Sequence, residues 1–249
     1  MTDPRFAEWL ELLQERHLAD LQFSEVTRAL RALSSRYVER RGKLVERGAL
    51  DTAGKRAAYA LYYSPLHFLT VRLIVKALAA ADGHPLKLLD VGCGTGAAGA
   101  AWASQRASST VIGIDSHPWA IGEAAVTYRS FGIAYDTRRG HAARLAFPRS
   151  ANAIVAGWML NEVDEPSRST LRSKLLQAVR DGMAVLIIEP IATRVSPWWS
   201  EWAEEFSHAG GRADTWRFPV ELPDILQRFD RATGMNHREL TARSIYVGS

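Results

Sequence analysis

Apolar positions recur at helical spacing through the first third of the chain and then give way, near residue 86, to strands alternating with helices. Phe6, Trp9, Leu10, Leu13, His17 and Leu21 fall on one face with charges between them, predicting a first helix over 5–21. Ser24 stands where it could cap a second helix carrying Val26, Leu30, Leu33 and Tyr37. Asp51-Thr52 opens a third helix through Tyr63. Ser64-Pro65 then reads as the cap and first-turn proline of a fourth, running to about Ala81 and stopping at Gly83. Past that point, the apolar runs 86–91, 110–115, 133–137, 151–158 and 183–189 predict five strands. Helices are expected between them over 97–103, 118–131 and 166–180. Ser196-Pro197 begins an aromatic helix, a further helix follows over 222–232, and 237–240 with 244–247 reads as a closing antiparallel pair. Such alternation implies a mainly parallel sheet covered on both faces. The chain therefore divides into a helical cap or lid, 1–85, and an α/β domain, 86–249.

The most informative stretch joins the first strand to the helix after it: Leu88-Leu89-Asp90-Val91-Gly92-Cys93-Gly94-Thr95-Gly96. A buried strand ends in an acid, and alternating glycines lead into a run of small residues. Glycine permits backbone angles that a side chain forbids and lets a ligand lie against bare backbone. The free N–H groups at the start of the next helix would face that ligand. Two spacings coexist here. Gly94, Gly96 and Gly99 satisfy the G-x-G-x-x-G of a dinucleotide fold, while Asp90, Gly92, Gly94 and Gly96 give D-x-G-x-G-x-G.

Composition narrows the setting. A chain of 249 residues, 47% hydrophobic and 23% charged, carries one substantial core with room for an appendage. A net charge of +4 makes an anionic partner only mildly favoured. The basic stretch 36–47 reads either as a solvated helix end or as a contact for something anionic. The single cysteine, Cys93, excludes an internal disulfide and a thiolate-rich metal site, so no metal is expected. The longest apolar run, 69–81, is interrupted by Arg72 and Lys76 and is too short to span a bilayer. The amino terminus does not read as a signal peptide, and a cytoplasmic location with no membrane partner is expected.

The D-x-G-x-G-x-G pattern resembles motif I of the class I S-adenosylmethionine-dependent methyltransferases. Asp115, closing the second strand in Val111-Ile112-Gly113-Ile114-Asp115, matches the acid with which that family binds ribose hydroxyls. Two later strands and the closing pair also fit that family's sheet. The resemblance covers about 86–249 and implies a Rossmann-like sheet of seven strands, the last antiparallel, in the order 3-2-1-4-5-7-6. It implies S-adenosyl-L-methionine as cofactor, with Asp90, Gly92, Cys93, Gly94, Gly96, Asp115, Ser116, His141 and Trp158 at its binding site. Cys93 also reads as a small packing residue. His141 falls where the family often carries an acid contacting adenine, and it reads equally as a surface-loop histidine.

Strand four ends in Gly157-Trp158-Met159-Leu160-Asn161-Glu162-Val163, the end that faces the transferred methyl group in this family. Asn161 and Glu162 are the catalytic candidates, able to orient or deprotonate an acceptor. Glu162 could equally cap the helix beginning near Pro166, and Glu189 is a second candidate at the rim. Trp198, Trp199, Trp202 and Phe206 form a stripe that reads as core or as the wall of an acceptor pocket. Arg129, Arg138, Arg139, Arg144 and Arg149, with Trp216-Arg217-Phe218, offer stacking and phosphate contacts to RNA. The blocks 56–60, 159–163 and 187–190 are similar to the methyltransferase-like proteins associated with the small ribosomal subunit, although the iron–sulfur cysteines of that branch are missing here. The expected activity is methyl transfer to a small molecule or RNA. The alternative is a ribosome- or RNA-binding assembly factor that uses the fold without catalysis.

Overall fold

The computed structural model describes residues 3–39, 50–80 and 85–248. Most of the basic stretch 36–47 and the helix stop at Gly83 lie outside them. Two compact units emerge, and their boundary does not follow residue 85. One takes 1–67 and 218–240, the other 68–217 and 241–249.

The first unit is helical. Helix α1 (Pro4–His17) is capped by Asp3, whose Oδ1 accepts from the Arg5 N–H at 3.1 Å, and it buries Phe6, Trp9, Leu10 and Leu13. Helix α2 (Phe23–Glu39) begins before Ser24, so that serine is no cap. The chain is held there instead by Gln22 N–H, which donates to Glu25 Oε2 at 2.8 Å. Thr52 caps α3 (Ala53–Ala58) as expected, accepting from Lys55 N–H. The next expectation is corrected: no new helix starts at Ser64-Pro65. The chain passes through one π turn, Tyr59–Tyr63, straight into α4 (Ser64–Ala77). Pro65 has no N–H to give, and its ring crowds the carbonyl four residues back, so a widened turn just before it keeps the helix continuous. Helix α9 (Asp224–Thr233) belongs to this unit, where Phe229 stacks on Phe23 at 4.5 Å between ring centroids.

The sheet comprises β1 (Lys87–Val91), β2 (Thr110–Asp115), β3 (Ala134–Arg139), β4 (Ala153–Gly157), β5 (Ala184–Glu189), β6 (Arg212–Pro219) and β7 (Glu239–Val247), in the order 3-2-1-4-5-7-6. Strands β1 to β5 pair in parallel, and β7 lies antiparallel to β5. This is the expected class I methyltransferase sheet. The closing pair is corrected, however. Residues 239–247 form one continuous strand, and the remaining edge is β6, whose Arg-Ala-Asp-Thr-Trp-Arg-Phe-Pro lacks the apolar run of a buried strand. The part of α4 after residue 67 and helices α5 (Ala97–Ala103), α6 (Pro118–Ser130), α7 (Glu165–Arg180) and α8 (Trp199–His208) complete the second unit. Leu89, Ile154, Val185, Ile187 and Ile245 from the sheet form one core with Leu171 and Leu175 of α7 and Trp202 and Phe206 of α8. The aromatic stripe is thus mainly core.

Candidate functional site

Parallel strands bring the ends of β1, β2, β4 and β5 to one edge of the sheet, and the candidate residues gather there. The glycine loop leaves β1 with Gly92, Gly94 and Gly96 all at positive φ, between 53° and 79°. A Cβ on Gly92 would also lie 2.8 Å from Met159 Cβ, so the loop after β4 presses directly on the loop after β1. Cys93 N–H donates to Ile114 O at 2.9 Å, and Gly96 N–H donates to Cys93 O at 2.7 Å, which folds the loop back on β2. The Cys93 thiol is buried and its pKa is raised, first by burial and then by Asp90 and Asp115. Cys93 shapes the turn.

The two acids of the motif divide their work. Asp115 spans the cradle. Its Oδ2 accepts from Gly94 N–H at 2.9 Å and its Oδ1 from His117 N–H at 2.8 Å, so one carboxylate ties the β2 end to the glycine loop. Asp90 lies beneath the loop at 1% exposure. Its Oδ2 accepts from Gly99 N–H at 2.9 Å and from Tyr128 OH at 2.8 Å. Burial pushes its pKa up to about 7, against the pull of those two hydrogen bonds, and Asp115 adds to the rise. Asp90 therefore anchors α5 to β1 and α6. Tyr128 was not legible as a site residue, since nothing in helical spacing marks it. The only available hint is that a buried tyrosine hydroxyl needs a partner.

After β4 the backbone turns sharply at Trp158, a bulky residue at φ 54°, where its N–H donates to Ile188 O at 2.8 Å. The next residues are clamped from three sides. Glu189, fully buried at the end of β5, accepts from Leu160 N–H at 3.0 Å and from Asn161 Nδ2 at 2.6 Å. Asn161 Nδ2 also donates to Ser196 Oγ at 2.8 Å, and its Oδ1 accepts from Trp198 Nε1 at 3.0 Å. Arg168 of α7 donates to the carbonyls of Leu160 and Val163. Two expectations change as a result. Asn161 has its amide engaged within the protein, by Glu189, Ser196 and Trp198, and so holds the turn. Glu189 is a buried pin below the turn, not a group at its rim.

Glu162 is different. It does not cap α7, because Asp164 does, accepting from Ser167 N–H at 2.8 Å. Its side chain reaches solvent, and among the described residues no hydrogen bond or ion pair engages its carboxylate. Protein nevertheless surrounds it closely enough that desolvation, with the nearby charge of Asp115, raises its pKa to about 7. Glu189 rises to about 8, chiefly through burial, with Leu160 N–H and Arg243 opposing and Glu162 adding to the shift. Glu162 thus feels the charge of Asp115, and Glu189 that of Glu162, along this edge. Ser116 is exposed beside Asp115. His141 is also exposed, and its charge acts on Asp164, which Ser167 chiefly holds below the usual carboxylate range. Among the described residues there is no cluster able to hold a metal ion, and no helix is long and apolar enough to cross a membrane.

Residues 88–182 match the family model described as a methyltransferase domain, so this part of the chain is a methyltransferase domain, carried on the class I sheet. Among solved structures, a proposed O-methyltransferase from Nostoc punctiforme is similar over 94% of this chain and 72% of its own, at 17% identity and a TM-score of 0.52. The precorrin-8w decarboxylase of Methanobacterium thermoautotrophicum matches 73% of this chain and 90% of its own, at 19% identity and a TM-score of 0.47. A tRNA (uracil-54, C5)-methyltransferase from Pyrococcus abyssi, solved with S-adenosyl-L-homocysteine, matches 72% of this chain and 38% of its own, at 12% identity and a TM-score of 0.46. At these identities the likeness is one of fold. No curated protein matches the chain.

Proposed function

We propose that the edge formed by the ends of β1, β2 and β4 binds S-adenosyl-L-methionine and directs its methyl group to an acceptor O–H or N–H whose proton Glu162 receives. One observation carries the cofactor assignment. Asp115 reaches from β2 to the Gly94 N–H, which joins an acid suited to ribose hydroxyls and a bare-backbone loop into one cradle. The cofactor supplies an activated methyl on a sulfonium, so the chain needs no nucleophile of its own; alignment and exclusion of water do most of the work. Glu162 supports the proton role because it is the accessible carboxylate of an otherwise clamped turn, with a pKa near 7. In the balance of the transfer, the carbon–sulfur bond breaks with its electron pair going to sulfur, the acceptor–methyl bond forms, and the acceptor proton goes to the Glu162 carboxylate.

Calorimetric titration with S-adenosyl-L-homocysteine, with NAD run in parallel, tests this reading. Binding of the homocysteine compound alone is expected, and Asp115→Ala should weaken it by about 10- to 100-fold, the worth of a charge-assisted pair. Binding of NAD without the homocysteine compound would overturn the assignment.

A further inference from the structure

Strand β3 is the open edge of the sheet beside β2, and it carries one feature that methyl transfer does not use. Tyr135 is the only large hydrophobic side chain that stands exposed among the described residues. Alternation along the strand puts Tyr135, Thr137 and Arg139 on one face. It is the face covered by α6, since the Tyr135 and Tyr128 ring centroids lie 5.9 Å apart. Arg129, from the end of α6, donates to the Tyr135 hydroxyl at 3.0 Å. Arg139 lies at the other end of the row, in register with Asp115, and donates through Nε to Ser116 O at 3.4 Å.

Charge sorts the arginines of this edge. Arg138, on the opposite face, spends its charge on Asp136 at 2.7 Å. Among the described residues, neither Arg129 nor Arg139 pairs with a carboxylate, and both are exposed. An exposed aromatic ring, tilted against Tyr128, therefore shares one row with two guanidinium groups that have no carboxylate partner among the described residues. Tyr135 and Arg139 are about 13 Å apart along the strand. Phosphates on either side of a base stacked on Tyr135 could meet both cations.

We propose that this row, Arg129–Tyr135–Arg139, docks single-stranded nucleic acid, the base stacking on Tyr135 and the flanking phosphates meeting the two arginines. Stacking needs only the flat face of a base, and guanidinium groups suit phosphate oxygens, so the row selects for chain and base rather than for sequence. Because Arg139 lies opposite Asp115 in the β2–β3 register, the strip ends beside the cofactor cradle. The inference rests on the proposed function only in taking the bound strand to be the acceptor.

Fluorescence anisotropy with labelled oligouridylate and oligothymidylate dodecamers tests the strip on the whole protein, and the two arms separate RNA from DNA. Two phosphate contacts give an expected salt slope of about −1.4, so affinity should fall roughly sevenfold between about 50 and 200 mM salt. Arg129→Gln and Arg139→Gln should each flatten that slope by about 0.7. Tyr135→Ala should weaken binding at least about fivefold, whereas Tyr135→Phe should retain it. Undetectable binding of both oligomers, unchanged binding by Tyr135→Ala, or equally good competition by a polyglutamate peptide would each overturn the proposal. Titration of the same variants with S-adenosyl-L-homocysteine keeps the two readings apart. Weakened oligonucleotide binding by Tyr135→Ala with S-adenosyl-L-homocysteine binding unchanged is the result expected of a strip distinct from the cradle. Wild-type protein that binds S-adenosyl-L-homocysteine but neither oligomer refutes only the strip, and wild-type protein that binds the oligomers but not S-adenosyl-L-homocysteine refutes only the cradle.

Discussion

Gly99→Ala sets local preference against packing at a single atom. Gly99 is the third residue of α5, where alanine is the better helix former by about 1 kcal/mol. Tertiary structure opposes the change. A Cβ at this position would stand 2.4 Å from Asp90 Oδ2, about 1 Å inside ordinary contact. The carboxylate has nowhere to retreat, since it is 1% exposed and bonded to both Gly99 N–H and Tyr128 OH. Overpacking costs about 1–3 kcal/mol, and loosening two hydrogen bonds to a buried acid costs about 1–3 kcal/mol more. After the gain in helix propensity, a net loss of about 3 kcal/mol remains. For a chain of this size that is a fall in Tm of roughly 6–12 °C. Urea and thermal denaturation of the wild type and the variant measure it. A second check is the pair Asp90→Ala with Gly99→Ala, which should be less damaging than the sum of the two single changes by about 1 kcal/mol or more. A variant as stable as the wild type, or more so, would refute the claim that Asp90 fills the space above Gly99.

Three further outcomes are expected. At Trp158, whose φ of 54° lies in the left-handed region, Trp158→Gly should be more stable than Trp158→Ala by about 1 kcal/mol in urea denaturation, since both lose the indole and only glycine relaxes the backbone; the opposite order would remove the strain argument. Asp90, Glu162 and Glu189 all have folded-state pKa values raised to about 7 or 8. Their contribution to stability is therefore complete below the usual carboxylate range and lost as pH rises through about 7 to 8. Tm should fall on this account between mildly acidic and alkaline pH, and Asp90→Asn should flatten the fall, its amide oxygen still accepting from Gly99 and Tyr128; an unchanged slope would show that Asp90 does not titrate there. In the helical unit, Tyr62 OH lies 2.5 Å from Asp230 Oδ1 and 3.0 Å from His237 Nδ1. Tyr62→Phe should cost about 1–3 kcal/mol, read by thermal denaturation, and an unchanged Tm would mean that the Asp230–His237 contact suffices without the hydroxyl.

What could be read from the chain alone is what local physics decides. An apolar run of strand length ending in an acid, followed by glycines that alone tolerate positive φ, defines the β1 loop wherever the rest of the protein lies. The same holds for β2 with Asp115 and for the helices with apolar faces; the order of the sheet follows instead from the family resemblance that the motif carries. Elements whose character depends on their surroundings were missed. Strand β6 is a polar edge, and the π turn at Tyr59–Tyr63 answers to Pro65 within a helix that the chain continues rather than restarts. Side-chain partnerships were illegible for the same reason. Asp90 is legible as the acid of the motif, but the hydrogen bond that Tyr128, thirty-eight residues away, donates to its Oδ2 is not. Asn161 and Glu189 resemble surface candidates until the β4 and β5 ends bring them together, with Glu189 buried beneath the Asn161 amide. A motif encodes the backbone path around a ligand, whereas strand register and packing decide which neighbouring acid is consumed in holding that path and which, like Glu162, is left with its carboxylate unengaged.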